Sequence, residues 1–181
     1  SNNISLNTKI NNASINSKEI KKNDVFFAIK GKNRDGHIFV KEIFKKGASL
    51  AVVSESKTKS KQIKVKDTLK FLTEASSLLR ENTLSKIIAI TGSCGKTSLK
   101  EITGKTLNKI SNASYSPKSF NNKFGVPLSL FNLKQKDDFG IFEIGMDKKG
   151  EIDYLSKIIK PDVGVITNIS YAHAKNFKNI K

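Results

Sequence analysis

At 181 residues the chain is long enough for one good hydrophobic core or for two small domains. Its 37% hydrophobic and 27% charged residues are those of a soluble globular protein, and no apolar run approaches bilayer-spanning length, so no membrane partner is expected. A net charge of +17 raises nucleic acid as a partner. The lysines are scattered, however, with no long basic block and no interleaved aromatics, so nucleic acid is not expected and an anionic substrate fits the charge.

The single cysteine, Cys94, excludes an internal disulfide and fits a reducing compartment. The first residues are polar and Asn-rich, unlike a signal peptide, and the cytoplasm is the expected location.

In chain order, residues 1–65 predict a small mixed α/β domain. Asp24 to Ile29 is a strand candidate closed by the turn-rich Gly31-Lys32-Asn33-Arg34-Asp35-Gly36. Val40 to Lys46 carries apolar residues at 40, 43 and 44, a short helix pattern that stops at Gly47. Ala48 to Val53 is a second strand. The polar, aperiodic run Ser54 to Lys64 is a connection.

From Asp67 the period changes. Leu69, Leu72, Ala75, Leu78 and Leu79 recur at helical spacing, so 67–82 is an amphipathic helix with Asp67 as its cap. Strand 86–91, a Gly92-Ser93-Cys94-Gly95 turn and helix 96–110 follow. Ser119 to Pro127 is a loop rich in amide side chains. Phe139 to Ile144 is a strand, Gly150 to Ile159 a helix ended by Pro161, and Val163 to Ile169 a further strand. Strands alternating with helices over 66–181 predict a parallel sheet with helices on its faces. Sites in such sheets lie at the carboxyl ends of the strands, which here carry Gly92 to Thr97, Glu143, and Asn168 to His173.

The strand-turn-helix at 86–98 is built to hold phosphate. Glycines permit the tight turn, the backbone N–H groups and helix dipole favour an anion, Lys96 adds a point charge, and the Thr97 hydroxyl stands where a Mg²⁺ ligand belongs. A glycine-rich turn that binds nothing is the bland alternative; the order strand, turn, Lys-Thr, helix favours a nucleoside triphosphate. The common G-x-x-x-x-G-K-[ST] form would need glycine at position 90, where Ile90 stands. Glu143 reads either as a strand-end carboxylate facing water or as an anchor for phosphate-bound Mg²⁺. His173 reads as a surface residue or as a neighbour of metal or phosphate. Asn121 and Asn122 are turn formers or reach a polar substrate, and composition does not decide between these.

The segments TGSCGKTSLKEIT, SFNNKFGVP, FEIGMDKKGEI and ITNISYAHAKNF together resemble the Mur ligases, in their order and spacing. The short phosphate loop is the form used by that family. Upstream, SINSKEIKKNDVFFAIKGKNRDGHIF resembles its uridine-binding N-terminal domain. The resemblance implies an α/β fold: a small mixed domain at 1–65 that binds a UDP-sugar, then the first part of a P-loop parallel-sheet ATPase domain at 66–181. It implies ATP and Mg²⁺ as cofactors. Gly92, Ser93, Cys94, Gly95, Lys96, Thr97 and Ser98, with Asn168, would bind the cofactor; Thr97, Glu143 and His173 would serve the metal; Lys96, Glu143 and His173 would be catalytic. Asn121 and Asn122 match a loop near the substrate. Ser17, Lys32, Asn33 and Arg34 would lie near the uridine diphosphate, although Asn16-Ser17-Lys18 stands where the family usually shows Asp-Ser/Thr-Arg.

The implied reaction is ATP-dependent amide formation in peptidoglycan precursor synthesis, with a UDP-N-acetylmuramoyl tripeptide and D-Ala-D-Ala as small-molecule partners. A family member that adds the third peptide residue is the alternative; its loop after the first ATPase helix is threonine-rich, where this chain has Asn-Asn-x-x-Gly-x-Pro. A truncated nucleotide-binding module without catalysis is another. The family's carbamylated lysine and C-terminal domain would lie past Lys181, so the chain reads as an N-terminal piece, inactive alone, of a protein that is a monomer when complete.

Overall fold

The computed structural model describes residues 8–31, 34–56 and 61–170. They divide into two compact units, with the division between Ala75 and Ser76.

The first unit holds a parallel sheet of β1 (Ala13–Ser14), β2 (Val25–Phe27), β3 (Leu50–Val53) and β4 (Gln62–Lys64), ordered as in the sequence. β2 and β3 are buried on both faces, which is why they read as unbroken apolar runs. A 3₁₀ turn at Gly36–Phe39 leads into α1 (Val40–Lys45), whose Val40 and Ile43 pack with Ile20, Phe26, Ala51 and Val53. β4 falls where a connection was expected. It borders a single strand and buries only Gln62, so its sequence needs no apolar pattern. β1, two residues long, is too short to carry a periodicity.

Helix α2 (Thr68–Glu81) begins as its spacing predicts: the Asp67 carboxylate accepts the N–H groups of Leu69 at 2.8 Å and Lys70 at 2.9 Å. In the first unit its Phe71 ring lies 6.5 Å from that of Phe27. In the second unit its Ser76 hydroxyl donates to the Pro127 carbonyl at 2.8 Å.

The second unit is built from β5 (Lys86–Thr91), α3 (Lys96–Leu107), β6 (Ala113–Tyr115), α4 (Gly125–Phe131), β7 (Phe139–Glu143), α5 (Glu151–Ile159) and β8 (Val163–Ile166). All strands are parallel, in the order β6-β7-β5-β8. Alternation along β5 separates the two cores. Ile87 and Ala89 face Val126, Leu130, Leu155 and Ile158 of α4 and α5. Ile88 and Ile90 face the opposite side, with Leu99 and Leu107 of α3. The chain crosses from one side of β5 to the other between β7 and β8, which opens a crevice at the carboxyl end of the central strand.

Two elements replace expected loop. β6 is a three-residue edge strand, and α4 starts inside the segment expected to be irregular. The Asn122 side-chain carbonyl accepts the N–H groups of Phe124 and Gly125, both at 3.0 Å, and starts that helix. Pro127 is tolerated because the first turn has no use for its missing N–H. β8 stops at Ile166 because the residues after it turn toward the loop that follows β5. No helix among the described residues is long and apolar enough to cross a membrane.

Candidate functional site

Register brings the site together. Ile90 of β5 pairs with Glu143 of β7, and Thr91 pairs with Ile166 of β8, so the ends of three strands share one edge with the loop Gly92–Gly95. Gly92 has φ 132° and Gly95 has φ 79°, backbone regions that glycine enters without steric cost. Gly95 is the N-cap of α3, so the first N–H groups of that helix, which have no intrahelical acceptor, open into the crevice edge.

The stretch after β8 clamps this loop. The Asn168 side-chain carbonyl accepts the Cys94 N–H at 3.0 Å, and its amide donates to Cys94 Sγ at 3.2 Å. The Thr167 hydroxyl donates to the Cys94 carbonyl at 2.6 Å, and the Ser93 N–H donates to the Asn168 carbonyl at 3.0 Å. Asn168, expected on the cofactor, thus spends both side-chain groups on shaping the loop. Cys94 is exposed.

Lys96 is half-buried and folds its ammonium back onto the Gly92 carbonyl at 2.7 Å. Glu143 is the buried centre of the site, 1% exposed. The Thr97 hydroxyl donates to its Oε2 at 2.7 Å and the Asn121 amide to its Oε1 at 2.8 Å. Burying the carboxylate is sustained by these two donors and by the positive end of α3, where Thr97 sits. The Asn121 backbone carbonyl also accepts the Gly145 N–H at 2.7 Å. Of the open readings, Glu143 is therefore no strand-end carboxylate facing water.

Beside Lys96 lies a cavity of about 670 Å³, within the range of small-molecule sites. Lys123, Phe124, Lys149 and Tyr154 line it together with Lys96 and Asn121. Lys123, Lys149 and Tyr154 were not singled out from the sequence, because a lysine in a Lys-rich chain carries no signal until the fold gathers it. Glu151 is held below the usual carboxylate range, first by the backbone N–H of Asp147 and next by that of Lys148, which orders the cavity wall.

Ser17 and Arg34 belong to the first unit, where Ser17 is buried and its carbonyl accepts the Lys46 ammonium at 2.8 Å. Arg34 is exposed, and its carbonyl accepts the Gly31 N–H at 2.8 Å. Lys32, Asn33 and His173 lie outside the described residues.

Comparison with known proteins matches both units to one family. The Mur ligase middle domain matches residues 90–181, and the catalytic domain of the Mur ligase family matches residues 9–80. The UDP-N-acetylmuramoyl-tripeptide–D-alanyl-D-alanine ligase of Buchnera aphidicola subsp. Acyrthosiphon pisum is 40% identical over 172 residues, 94% of this chain and 38% of its own length. A crystal structure of MurF from Acinetobacter baumannii superposes with TM-score 0.83 at 34% identity, over 94% of this chain and 38% of that one. MurF ligase from Thermotoga maritima in complex with ADP gives TM-score 0.78 at 31% identity, over 96% of this chain and 40% of that one. The chain thus spans about two fifths of the length of these relatives. A glycine turn from β5 into α3, a buried carboxylate one hydrogen bond from Thr97 and matches over both units converge: this chain belongs to the Mur ligase family.

Proposed function

We propose that this chain carries the nucleotide-binding part of an ATP-dependent amide ligase that joins D-Ala-D-Ala to a UDP-N-acetylmuramoyl tripeptide. The observation that carries the reading is the Lys96–Thr97–Glu143 constellation on the strand ends, beside a cavity lined by three lysines. In this reading residues 1–65 bind the UDP-sugar, with Ser17, Lys32, Asn33 and Arg34 on the uridine diphosphate side, and residues 66–181 bind ATP. The cytoplasm and a monomeric state complete the proposal.

Gly92–Ser98 cradle the phosphates through the first N–H groups of α3. Lys96 exchanges the Gly92 carbonyl for phosphate oxygens as the nucleotide arrives. The donor set fits Mg²⁺: a carboxylate and a hydroxyl are hard oxygens, and this cation commonly takes one or two protein ligands with waters and phosphate oxygens supplying the rest. Thr97 and Glu143 would hold the ion, with His173 proposed as a further ligand from the family resemblance. Bound there, Mg²⁺ would supply charge neutralisation to the transferring phosphoryl group.

The tripeptide carboxylate attacks the γ-phosphorus, ADP departs, and an acyl phosphate forms. The amine of D-Ala-D-Ala then attacks the acyl carbon, the acyl C–O bond breaks, and inorganic phosphate leaves with the proton given up by the nitrogen, so that the amide remains. Lys96 compensates charge on the phosphoryl oxygens, while Asn121 keeps Glu143 oriented; catalysis is mostly positioning and charge neutralisation. Lys123 and Lys149 add positive charge to the cavity wall beside Lys96.

Calorimetric titration of the 181-residue chain with ATP and Mg²⁺, then with the UDP-N-acetylmuramoyl tripeptide, tests this. Binding of both is expected, with phosphate release on adding D-Ala-D-Ala measured separately. ATP binding with no response to the nucleotide sugar would leave a nucleotide-binding module without catalysis. Failure to bind ATP would overturn the proposal.

A further inference from the structure

Lys100 is a lysine with no exposed surface, on the same face of α3 as Thr97 and Gly104. Removing an ammonium from water is costly unless it is paired and hydrogen-bonded. Its partners are the backbone carbonyl of Lys118 and, at 3.3 Å, Glu101 Oε1. The Lys118 backbone has φ 51°, a left-handed conformation that a lysine adopts only against steric resistance. Three residues further on stands Asn121, whose amide reaches Glu143 Oε1 and whose carbonyl takes the Gly145 N–H. Thr97, one turn before Lys100, reaches the other oxygen of the same carboxylate.

These contacts close a ring: α3 through Thr97 to Glu143, on to Asn121, back along the chain to Lys118, and through Lys100 to α3 again. We propose that Lys100 is a positioning residue for the Glu143 carboxylate, acting through the Lys118 carbonyl and Asn121. An aliphatic residue would fill the same buried space without desolvating a charge, so the ammonium has its use in the carbonyl that it holds. The orientation of Glu143, and with it the reach of Thr97, then depends on a cation buried one turn into the helix. The consequence for ligand binding rests on the proposed nucleotide function; the ring itself does not.

The test uses Lys100→Met, Asn121→Ala and the double variant in the whole chain, with two readouts. The first is unfolding by urea without ligand. A coupled pair gives a non-additive cycle, whereas independent residues add. The second is the gain in ATP affinity on replacing EDTA by Mg²⁺. K100M is expected to cut that gain by roughly five- to tenfold, to leave affinity in EDTA within about twofold, and to add nothing to the loss caused by N121A. Leu130→Ala, a core truncation in the same unit, is expected to lose stability and keep the gain. Additive stabilities, or a gain that survives K100M, would overturn the inference. If the wild-type chain shows no Mg²⁺-dependent gain, the nucleotide reading has failed and the unliganded cycle still decides the role of Lys100. Should K100M fail to fold, Lys100→Gln, whose shorter amide falls short of the Lys118 carbonyl, is read in the same way.

Discussion

A Cβ built on Gly92 stands 2.1 Å from the hydroxyl oxygen of Thr167, and 3.0 Å from the Asn168 backbone nitrogen. The residues after β8 therefore lie directly against the loop after β5, and only a residue without a side chain admits both. Gly95, three residues on, has nothing within 4 Å of its Cβ direction and is constrained by φ alone. Gly92→Ala is expected to cost about 2–4 kcal/mol from strained φ and overpacking together, and Gly95→Ala about 1–2 kcal/mol from φ alone. Urea unfolding of the two variants measures the difference; equal losses would mean that the Thr167 contact has no energetic weight.

Among the described residues Lys96 donates to a carbonyl of its own loop and to no other group, so Lys96→Met is expected to leave stability within about 1 kcal/mol. Its ATP affinity is expected to fall by at least about tenfold, since a charge-assisted contact to phosphate is lost. Glu143→Gln is expected to behave differently, keeping a side chain of the same shape and losing the dependence of ATP binding on Mg²⁺. Calorimetry in EDTA and in Mg²⁺ separates the two. A K96M chain that binds ATP like wild type would remove Lys96 from the phosphate site.

Asp162 is held below the usual aspartate range, first by the backbone N–H of Ile87 at 2.8 Å and then by Lys86 and Arg80. Its folded value is depressed, so its stabilising contribution is present above the unfolded value and is lost as pH falls through the folded one. Thermal unfolding of wild type and Asp162→Asn should differ at neutral pH and converge below about pH 4. Asp138 and Glu151 are depressed as well, so both proteins weaken in acid; the difference between them isolates Asp162. A gap that persists unchanged in acid would contradict this account.

Gly104 packs beneath Tyr115, where a Cβ would stand 2.3 Å from the ring. Alanine raises helix propensity by roughly 0.5–1 kcal/mol, yet the clash is expected to win, with a net loss of about 1–3 kcal/mol. In a Tyr115→Ala background the sign should move toward the propensity gain, because the obstructing ring is gone. Denaturation of the four proteins of the cycle checks this, and a loss of equal size in both backgrounds would point to a different cause.

Much of the fold from Asp67 onward was legible because its signals are local. Ile87 to Ile90 form a buried strand on composition alone, Asp67 caps α2 as its spacing predicts, and Gly92-Ser93-Cys94-Gly95 with Lys96-Thr97 mark a turn entering a helix. β6, β4 and α4 were missed for a physical reason. Short edge strands bury few residues, and α4 is started by a side-chain contact from Asn122 that apolar periodicity does not register.

By itself the sequence determined which segments could be strands and helices, that a glycine-rich turn followed by Lys96-Thr97 joins a strand to a helix, and which family the chain resembles. Only tertiary structure decided the strand order β6-β7-β5-β8 and, through it, the pairing of Ile90 with Glu143. That register sets a carboxylate against the hydroxyl of Thr97, 46 residues earlier, and turns Asn121 and Lys100 from an amide in a loop and a lysine in a helix into supports for it. Periodicity and turn chemistry act over a few residues, whereas burial of Glu143 and Lys100 follows from contacts whose partners no local pattern specifies.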